Sequence, residues 1–205
     1  MKTFPVWEGG YASMCYLVTD DKHECGVLID PSVSLAAVRG VIGELPKIEA
    51  LLLTHGHFDH MLALSDWKEE TGAPVCICTE DAAHLTNASL NCHSLFFGTD
   101  AIYPSADRIL REGDEILFGD EKLTVIQTPG HTAGSCLYYG KDVLFTGDTL
   151  MADGGFGRYD LPGGSPSDLY RSLRKIFTLP LSLRIYPGHG GDSTLSDEIH
   201  FHSFK

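Results

Sequence analysis

Short apolar runs with the length of β-strands recur along the chain. Several of these runs are continuous rather than alternating, a pattern typical of strands that are buried on both faces. The runs are Met14–Val18, Val27–Ile29, Ile48–Leu53, Val75–Cys78, Leu123–Ile126, Cys136–Tyr139, Val143–Phe145 and Arg184–Tyr186. They predict a protein built around extensively buried sheet.

Apolar residues with helical spacing occur between these runs. One pattern covers residues 35–45 and a second covers residues 169–177. The second follows Ser165-Pro166, which predicts a serine N-cap and a proline at the first helical position. Weaker helix candidates cover residues 61–70 and 80–86. Because strands and helices alternate, we predict an α/β (α+β) fold in which helices cover the sheet.

Residues 87–106 fit neither period, although they include several aromatic side chains among small and polar ones. A long irregular stretch of this kind is either a functional loop or a packed surface loop. The tail Ile199–Phe204 is also aromatic for a terminus. Three roles fit that tail: docking on the protein's own core, covering a site entrance, or joining a partner subunit.

Composition indicates one folded domain over residues 1–205. The chain is 43% hydrophobic and 21% charged, which excludes wholesale disorder. The longest apolar runs fall short of a membrane span, and the first residues lack a secretion signal, so we predict a cytoplasmic protein. Most of the six cysteines are then expected to be buried, reduced thiols.

The net charge of −13 limits the kinds of partner that are expected. Nucleic-acid backbones and anionic membranes both bind basic surfaces, so neither is predicted as a partner. A small molecule is the expected ligand. The oligomeric state is left open by the sequence.

Four of the predicted strands end in the same kind of sequence. Each delivers histidine or aspartate next to glycine or proline, which places side chains at the tips of rigid elements. If the four tips converge, they assemble one cluster of polar side chains. Its members are His55, His57, Asp59, His60, His131, Asp148 and His189.

These side chains are too many for one small transition-metal ion, but two ions sharing Asp148 would use them all. Imidazole and carboxylate ligands suit zinc, with iron and manganese as alternatives. A single histidine is usually an ordinary polar residue, but a set of clustered imidazoles is unfavourable to bury unless a metal ion or carboxylates compensate. The other histidines, at 23, 84, 93, 200 and 202, are predicted to be ordinary polar residues, and Asp30-Pro31 to be a turn.

The motif T-H-G-H-F-D-H at residues 54–60, followed by His131, Asp148 and His189, resembles the metallo-β-lactamase-fold hydrolases. The resemblance covers residues 11–190. It implies a four-layer αββα sandwich with a dinuclear site at one edge. It further implies that His55, His57 and His131 hold the first ion, that Asp59, His60 and His189 hold the second, and that Asp148 bridges them.

Further segments narrow the resemblance. Residues 128–135 and 147–150 are similar to glyoxalase II, the hydroxyacylglutathione hydrolases, and residues 156–164 and 186–190 to small single-domain bacterial members. This implies that hydroxide held between two metal ions attacks a thioester such as S-D-lactoylglutathione, with Asp59 and Asp148 as catalytic residues.

The substrate contacts depart from the longer glyoxalase II enzymes, which add a helical C-terminal domain. Arg158 matches their basic position, whereas Tyr159 stands one place before their tyrosine position, which here is Asp160. We predict that Arg158 and Tyr159 bind substrate, with an Arg158–Asp160 ion pair that only fixes the loop as the alternative.

Other activities of the same fold are alternatives. A persulfide dioxygenase would hold one iron at His55, His131 and Asp148. A lactonase, a β-lactamase or another ester hydrolase of this fold is a second hydrolytic alternative. A catalytically silent binding module is expected to have lost some ligands, and all of them are present here.

Overall fold

The continuous apolar runs form the inner strands of two six-stranded sheets in the computed structural model, which describes residues 1–202. The first sheet contains β1 (Lys2–Val6), β2 (Cys15–Thr19), β3 (Cys25–Ile29), β4 (Lys47–Leu52), β5 (Val75–Cys78) and β6 (Arg108–Leu110). The second contains β7 (Glu115–Phe118), β8 (Glu121–Gln127), β9 (Cys136–Tyr139), β10 (Val143–Gly147), β11 (Arg184–Pro187) and β12 (Ser193–Thr194).

Both sheets mix parallel and antiparallel pairs. In the first sheet the strands are ordered by chain position, antiparallel from β1 to β3 and parallel from β3 to β6. In the second sheet the order is β12-β11-β10-β9-β8-β7, and only β10 and β11 are parallel neighbours. Consequently β8, β10 and β11 run in one direction and end at the same edge.

The helices connect and cover these strands. The α-helices are α1 (Leu35–Ile42), α2 (Leu64–Thr71), α3 (His93–Phe97), α4 (Pro166–Ile176) and α5 (Leu195–Glu198). Four 3-10 helices span Phe58–His60, Thr79–Thr86, Ala152–Gly154 and Ile199–Phe201. None of the helices in residues 1–202 combines the length and apolar character that crossing a membrane requires.

Three separate layers of buried apolar side chains show the four-layer order. The central layer lies between the sheets and joins side chains such as Val27 and Val125. One outer layer lies between the first sheet and helices α1 and α2, around Trp67. The other lies between the second sheet and α4, around Leu173. The predicted αββα sandwich is therefore confirmed.

Strand β2 explains why the runs are continuous. Cys15 and Leu17 face the helices, whereas Tyr16 and Val18 face the other sheet. Since both faces of the strand are covered, every position is apolar.

The predicted start of the helix after Ser165 agrees with the structure. The Ser165 side chain accepts a hydrogen bond from the Asp168 amide at the start of α4, and Pro166 occupies the first turn. The weak candidate at 61–70 becomes α2, which begins at Leu64, while the one at 80–86 becomes a 3-10 helix.

The sequence missed the edge strands β1, β6, β7 and β12. Each of these strands pairs with a single neighbour and contains exposed or half-buried positions. Their half-exposed residues give no continuous apolar run.

Within residues 87–106, only α3 is helical. Residues 199–201 pack against the turn at Gly154, and Phe204 of the predicted tail lies outside the described residues.

Two buried tyrosines link the sheets where strands lead into the candidate site. The Tyr138 hydroxyl on β9 donates to the Leu53 carbonyl oxygen at 2.7 Å, just after β4. In the opposite direction, the Tyr16 hydroxyl on β2 donates to the Pro187 carbonyl oxygen at 2.5 Å, at the end of β11. These bonds fix strand ends of one sheet against the other.

We expect Tyr138→Phe to lower the free energy of unfolding by about 1–2 kcal/mol, because the buried Leu53 carbonyl loses its strongest donor. Chemical denaturation measures this change. Tyr139→Phe on the same strand is the matched control, since within residues 1–202 its hydroxyl forms no hydrogen bond. Equal destabilisation by both substitutions would contradict a specific role for the Tyr138 bond.

Candidate metal centre

All of the predicted ligands lie at one edge of the sandwich. His55 and His57 follow β4, and Asp59 and His60 lie on the 3-10 helix Phe58–His60 directly after them. His131 follows β8, Asp148 follows β10, and His189 follows β11. The first sheet thus supplies one segment with four of the residues, and the second sheet supplies three separate strand ends.

The first group consists of three buried histidines. His55 Nε2 lies 3.1 Å from His57 Nδ1, and His57 Nδ1 lies 2.9 Å from His131 Nε2. The remaining distance, between His131 Nε2 and His55 Nε2, is 3.1 Å. Three imidazole nitrogens therefore converge on one point, a donor set that suits zinc, iron or manganese.

The second group combines Asp59, His60 and His189. His189 Nε2 lies 3.2 Å from Asp59 Oδ2, and His60 Nε2 lies 4.0 Å from the same oxygen. His60 is completely buried, whereas His189 is 40% exposed, so this group opens towards solvent.

Asp148 lies between the two groups. Its Oδ2 atom is 3.6 Å from His131 Nε2 of the first group and 3.7 Å from His189 Nε2 of the second. Its Oδ1 atom is 3.3 Å from His60 Nε2. The carboxylate therefore faces nitrogen atoms of both groups, as a bridging ligand would.

Hydrogen bonds outside the cluster orient the imidazole rings. His131 Nδ1 donates to the Arg158 carbonyl oxygen at 2.6 Å, and His60 Nδ1 donates to Asp30 Oδ2 at 2.9 Å. Because these bonds place the proton on Nδ1, the Nε2 lone pairs point into the cluster. Lone pairs that converge in this way are stabilised by a cation between them.

The pKa values of the histidines in the cluster shift in opposite directions. Burial and the neighbouring imidazoles lower the pKa of His55 well below its usual value and that of His57 to about 3. For His60, burial is outweighed by Asp30, Asp148 and Asp59, which raise its pKa well above the usual value. The carboxylates thus favour positive charge beside them.

The pKa of Asp148 is also shifted by the charges around it. Burial alone would raise it, but His60 and His131 hold it below the usual range, so the carboxylate is ionised. Asp148 Oδ1 and His60 Nε2 are both buried, and neither has a hydrogen-bond partner. A divalent ion between these two atoms would satisfy both, so the residues fit a metal centre.

The sequence predicts only a turn at Asp30-Pro31, but the Asp30 side chain also supports the site. Its Oδ1 accepts a hydrogen bond from the Thr54 amide at 2.8 Å, and its Oδ2 accepts from the Thr54 hydroxyl at 2.8 Å and from His60. One feature of the sequence could have indicated this role: Asp30 directly follows β3, the parallel neighbour of β4, which leads into the site.

The structure also places the other histidines and the cysteines. The groups that suit a metal ion within residues 1–202 contain none of His23, His84, His93, His200 and His202. All of the cysteines are free thiols, and only Cys25 is more than slightly exposed.

Two cavities flank the cluster and share Asp59 and His189. The larger, of about 500 Å³, is walled by residues before β2, including Trp7 and Tyr11. The smaller, of about 260 Å³, is lined by Phe58, Phe96, Phe156 and Arg158 among others. Together they form a cleft with apolar, aromatic walls and polar groups concentrated at the cluster, as small-molecule sites usually are.

The two predicted substrate contacts lie in different places. Arg158 lines the smaller cavity, and its guanidinium forms two hydrogen bonds of 2.7 and 2.8 Å with the Asp160 carboxylate. Tyr159 lines a neighbouring apolar groove of about 270 Å³ instead.

A model of the metallo-beta-lactamase superfamily matches residues 9–189 of the chain. A curated relative, a probable metallo-hydrolase (YqgX) of Bacillus subtilis, is 34% identical over 91% of this chain and 89% of its own length.

Solved structures are similar over nearly the whole chain. The B3 metallo-beta-lactamase BLEG-1 has a TM-score of 0.90 at 31% identity and 97% coverage of both chains. TTHA1623, in a di-iron-bound form, has a TM-score of 0.83 at 35% identity, covering 98% of this chain and 100% of its own. ETHE1 from Myxococcus xanthus has a TM-score of 0.77 at 29% identity, covering 97% of this chain and 81% of its own.

Gly188, next to His189, tests the packing of the cluster. A Cβ atom there would lie 2.3 Å from Asp148 Oδ1 and 2.5 Å from His60 Cε1, distances that force both side chains to move. We expect Gly188→Ala to weaken metal binding at least about tenfold, as loss of ligand alignment does. Competition with a chelator measures this affinity.

Gly191→Ala is the control, because a Cβ atom there meets nothing within 4 Å. Wild-type metal affinity in Gly188→Ala would contradict the observed approach of Gly188 to the two ligands.

Proposed function

The chain belongs to the metallo-beta-lactamase superfamily, and we propose that it is a two-metal hydrolase that cleaves a thioester such as S-D-lactoylglutathione. The observation that carries the proposal is the pair of donor groups that share Asp148. We propose zinc for both ions, with iron or manganese as alternatives, since imidazole and carboxylate ligands suit all three.

His55, His57 and His131 would hold the first ion, Asp59, His60 and His189 the second, and Asp148 both. When bound, such ions supply hydroxide at neutral pH and polarise the carbonyl group under attack. The residues of the chain fix where this happens, because every ligand is at a strand end or on the 3-10 helix that follows one.

Asp59 has a second role in this proposal. Its carboxylate is 21% exposed, whereas His60 beside it is completely buried, so Asp59 faces the cleft as well as the second group. A carboxylate at this position can accept a hydrogen bond from the attacking water and orient it towards the carbonyl carbon. His60 and His189 keep its pKa low, so it acts ionised.

Departure of the thiol fits the same site. A thiolate is a stable leaving group and needs little protonation, so a separate general acid is not required. The cleft walls include the aromatic side chains of Phe58 and Phe96, which offer an apolar surface to the acyl group or the thiol carrier. Arg158 is the cationic residue placed to meet a carboxylate of the thiol carrier.

A specific observation favours a second candidate, the hydrolysis of a neutral lactone or ester. Among the residues described as lining the two cavities, Arg158 is the only lysine or arginine, and it is already paired with Asp160. Aromatic side chains, among them Trp7 and Tyr11, dominate the walls. An uncharged substrate would suit these walls without requiring the Arg158–Asp160 pair to open.

One experiment separates these candidates. The as-purified protein is analysed for metal content and assayed with S-D-lactoylglutathione and with a neutral lactone. Two ions per chain with thioester turnover supports the proposal, and two ions with lactone turnover alone supports the second candidate. One iron per chain, with oxygen consumption on glutathione persulfide, would replace both by the dioxygenase alternative.

We expect Asp59→Asn to reduce kcat by about 100-fold to 10,000-fold, since both water orientation and a ligand of the second ion are impaired. Asp148→Asn is expected to reduce it further, because both groups lose a ligand. Steady-state kinetics on metal-loaded proteins measures the changes. The exposed Asp66 on α2 provides the control Asp66→Asn, and wild-type turnover in Asp59→Asn would overturn the assignment.

A further inference from the structure

Asp81 is a fully buried carboxylate outside the metal-binding groups. It lies on the 3-10 helix Thr79–Thr86, which carries none of the predicted ligands. Its Oδ2 atom accepts hydrogen bonds from the Gly56 amide at 2.8 Å and from the Thr132 hydroxyl at 2.7 Å. Its Oδ1 atom accepts a hydrogen bond from the Gly134 amide at 2.7 Å.

The positions of these three donors are informative. Gly56 separates His55 from His57, and Thr132 directly follows His131. Each histidine of the first group is therefore next to a residue that donates to Asp81. The donors come from two segments that follow strands of different sheets, so one carboxylate joins the two halves of the first group.

The helix that carries Asp81 also packs tightly against both segments. A Cβ atom on Gly56 would lie 2.4 Å from the His84 Cβ, and one on Gly134 would lie 2.6 Å from the Asp81 amide nitrogen. A direct backbone bond, from the Cys136 amide to the Thr54 carbonyl oxygen at 2.8 Å, links the segments nearer the strands. At the level of the histidines, the link is made by Asp81.

We propose that Asp81 is a positioning residue for the first ion. By accepting hydrogen bonds from both ligand-bearing segments, it sets the separation between the His55–His57 pair and His131. The proposal rests on the two-metal function above, and it concerns which residue aligns the ligands rather than which substrate is cleaved.

Removing the negative charge should disturb this alignment. The Asp81→Asn side chain retains the shape, but its amide group presents N–H bonds where the carboxylate accepts them. At least one of the three buried donors then loses its acceptor, which is unfavourable in the interior. Loss of a residue that orients metal ligands typically weakens metal affinity 10-fold to 100-fold.

Glu198 provides a closely matched control. It is also buried, and its carboxylate likewise accepts from two backbone amides and one hydroxyl: Asp153 at 3.2 Å, Gly154 at 2.7 Å and Ser193 at 2.5 Å. None of these donors is adjacent to a predicted ligand. Glu198→Gln therefore removes the same kind of buried interaction elsewhere in the molecule.

The test measures ions bound per chain at increasing chelator concentration, for zinc-loaded wild-type, Asp81→Asn and Glu198→Gln proteins. His57→Ala identifies the release step that belongs to the first ion. We expect Asp81→Asn to release the first ion at about 10-fold to 100-fold lower chelator concentration, with the second step little changed. Glu198→Gln is expected to release both ions as the wild type does, although its thermal stability falls.

Two results would overturn the proposal: wild-type release of the first ion from Asp81→Asn, or an equal loss of affinity in Glu198→Gln. Absence of bound zinc in the wild type would instead defeat the proposed function. If Asp81→Asn does not fold, Thr132→Val removes one of the three hydrogen bonds and is expected to weaken the first ion about fivefold. Unchanged affinity in Thr132→Val would then count against Asp81 as the positioning residue.

Discussion

The structure depends on an electrostatic requirement at one edge of the sandwich. Imidazole lone pairs and carboxylates converge there within about 3–4 Å of one another, mostly out of contact with water. Such a cluster is unfavourable without a central cation, because like groups repel and their hydration is lost. Its retention in a folded chain is explained by metal binding, and the fold supplies the rigidity that keeps the groups in place.

That rigidity comes from contacts between the two sheets. Tyr16 and Tyr138 join strand ends across the sandwich, and Asp30 holds His60 by its Nδ1 atom. Several segments that carry the predicted ligands are therefore held by buried hydrogen bonds. A buried donor that loses its acceptor destabilises the folded state by more than one hydrogen bond usually contributes to stability. Conformations that break these bonds are therefore strongly disfavoured.

The walls of the cleft differ in chemistry from the metal-binding groups. Proteins of similar fold include a B3 metallo-beta-lactamase, so the fold alone does not identify a substrate. Here the walls are aromatic, and the guanidinium of Arg158 is engaged by Asp160. The proposed thioester would meet this guanidinium only if the ion pair opened, whereas a neutral lactone or ester would leave the pair intact.

The sequence predicted the buried strands and the side chains that meet at one edge, and the family resemblance supplied the order of the layers. Strands buried on both faces leave continuous apolar runs, and most of the cluster residues stand beside one another or shortly after such runs, so local patterns indicated both. The tertiary structure alone decided the roles of Asp30 and Asp81, because an isolated aspartate gives no signal until distant donors meet it. It also decided where the half-exposed edge strands β6 and β7 pair. Pairing depends on partners distant in sequence, and such short segments do not show a clear period by themselves.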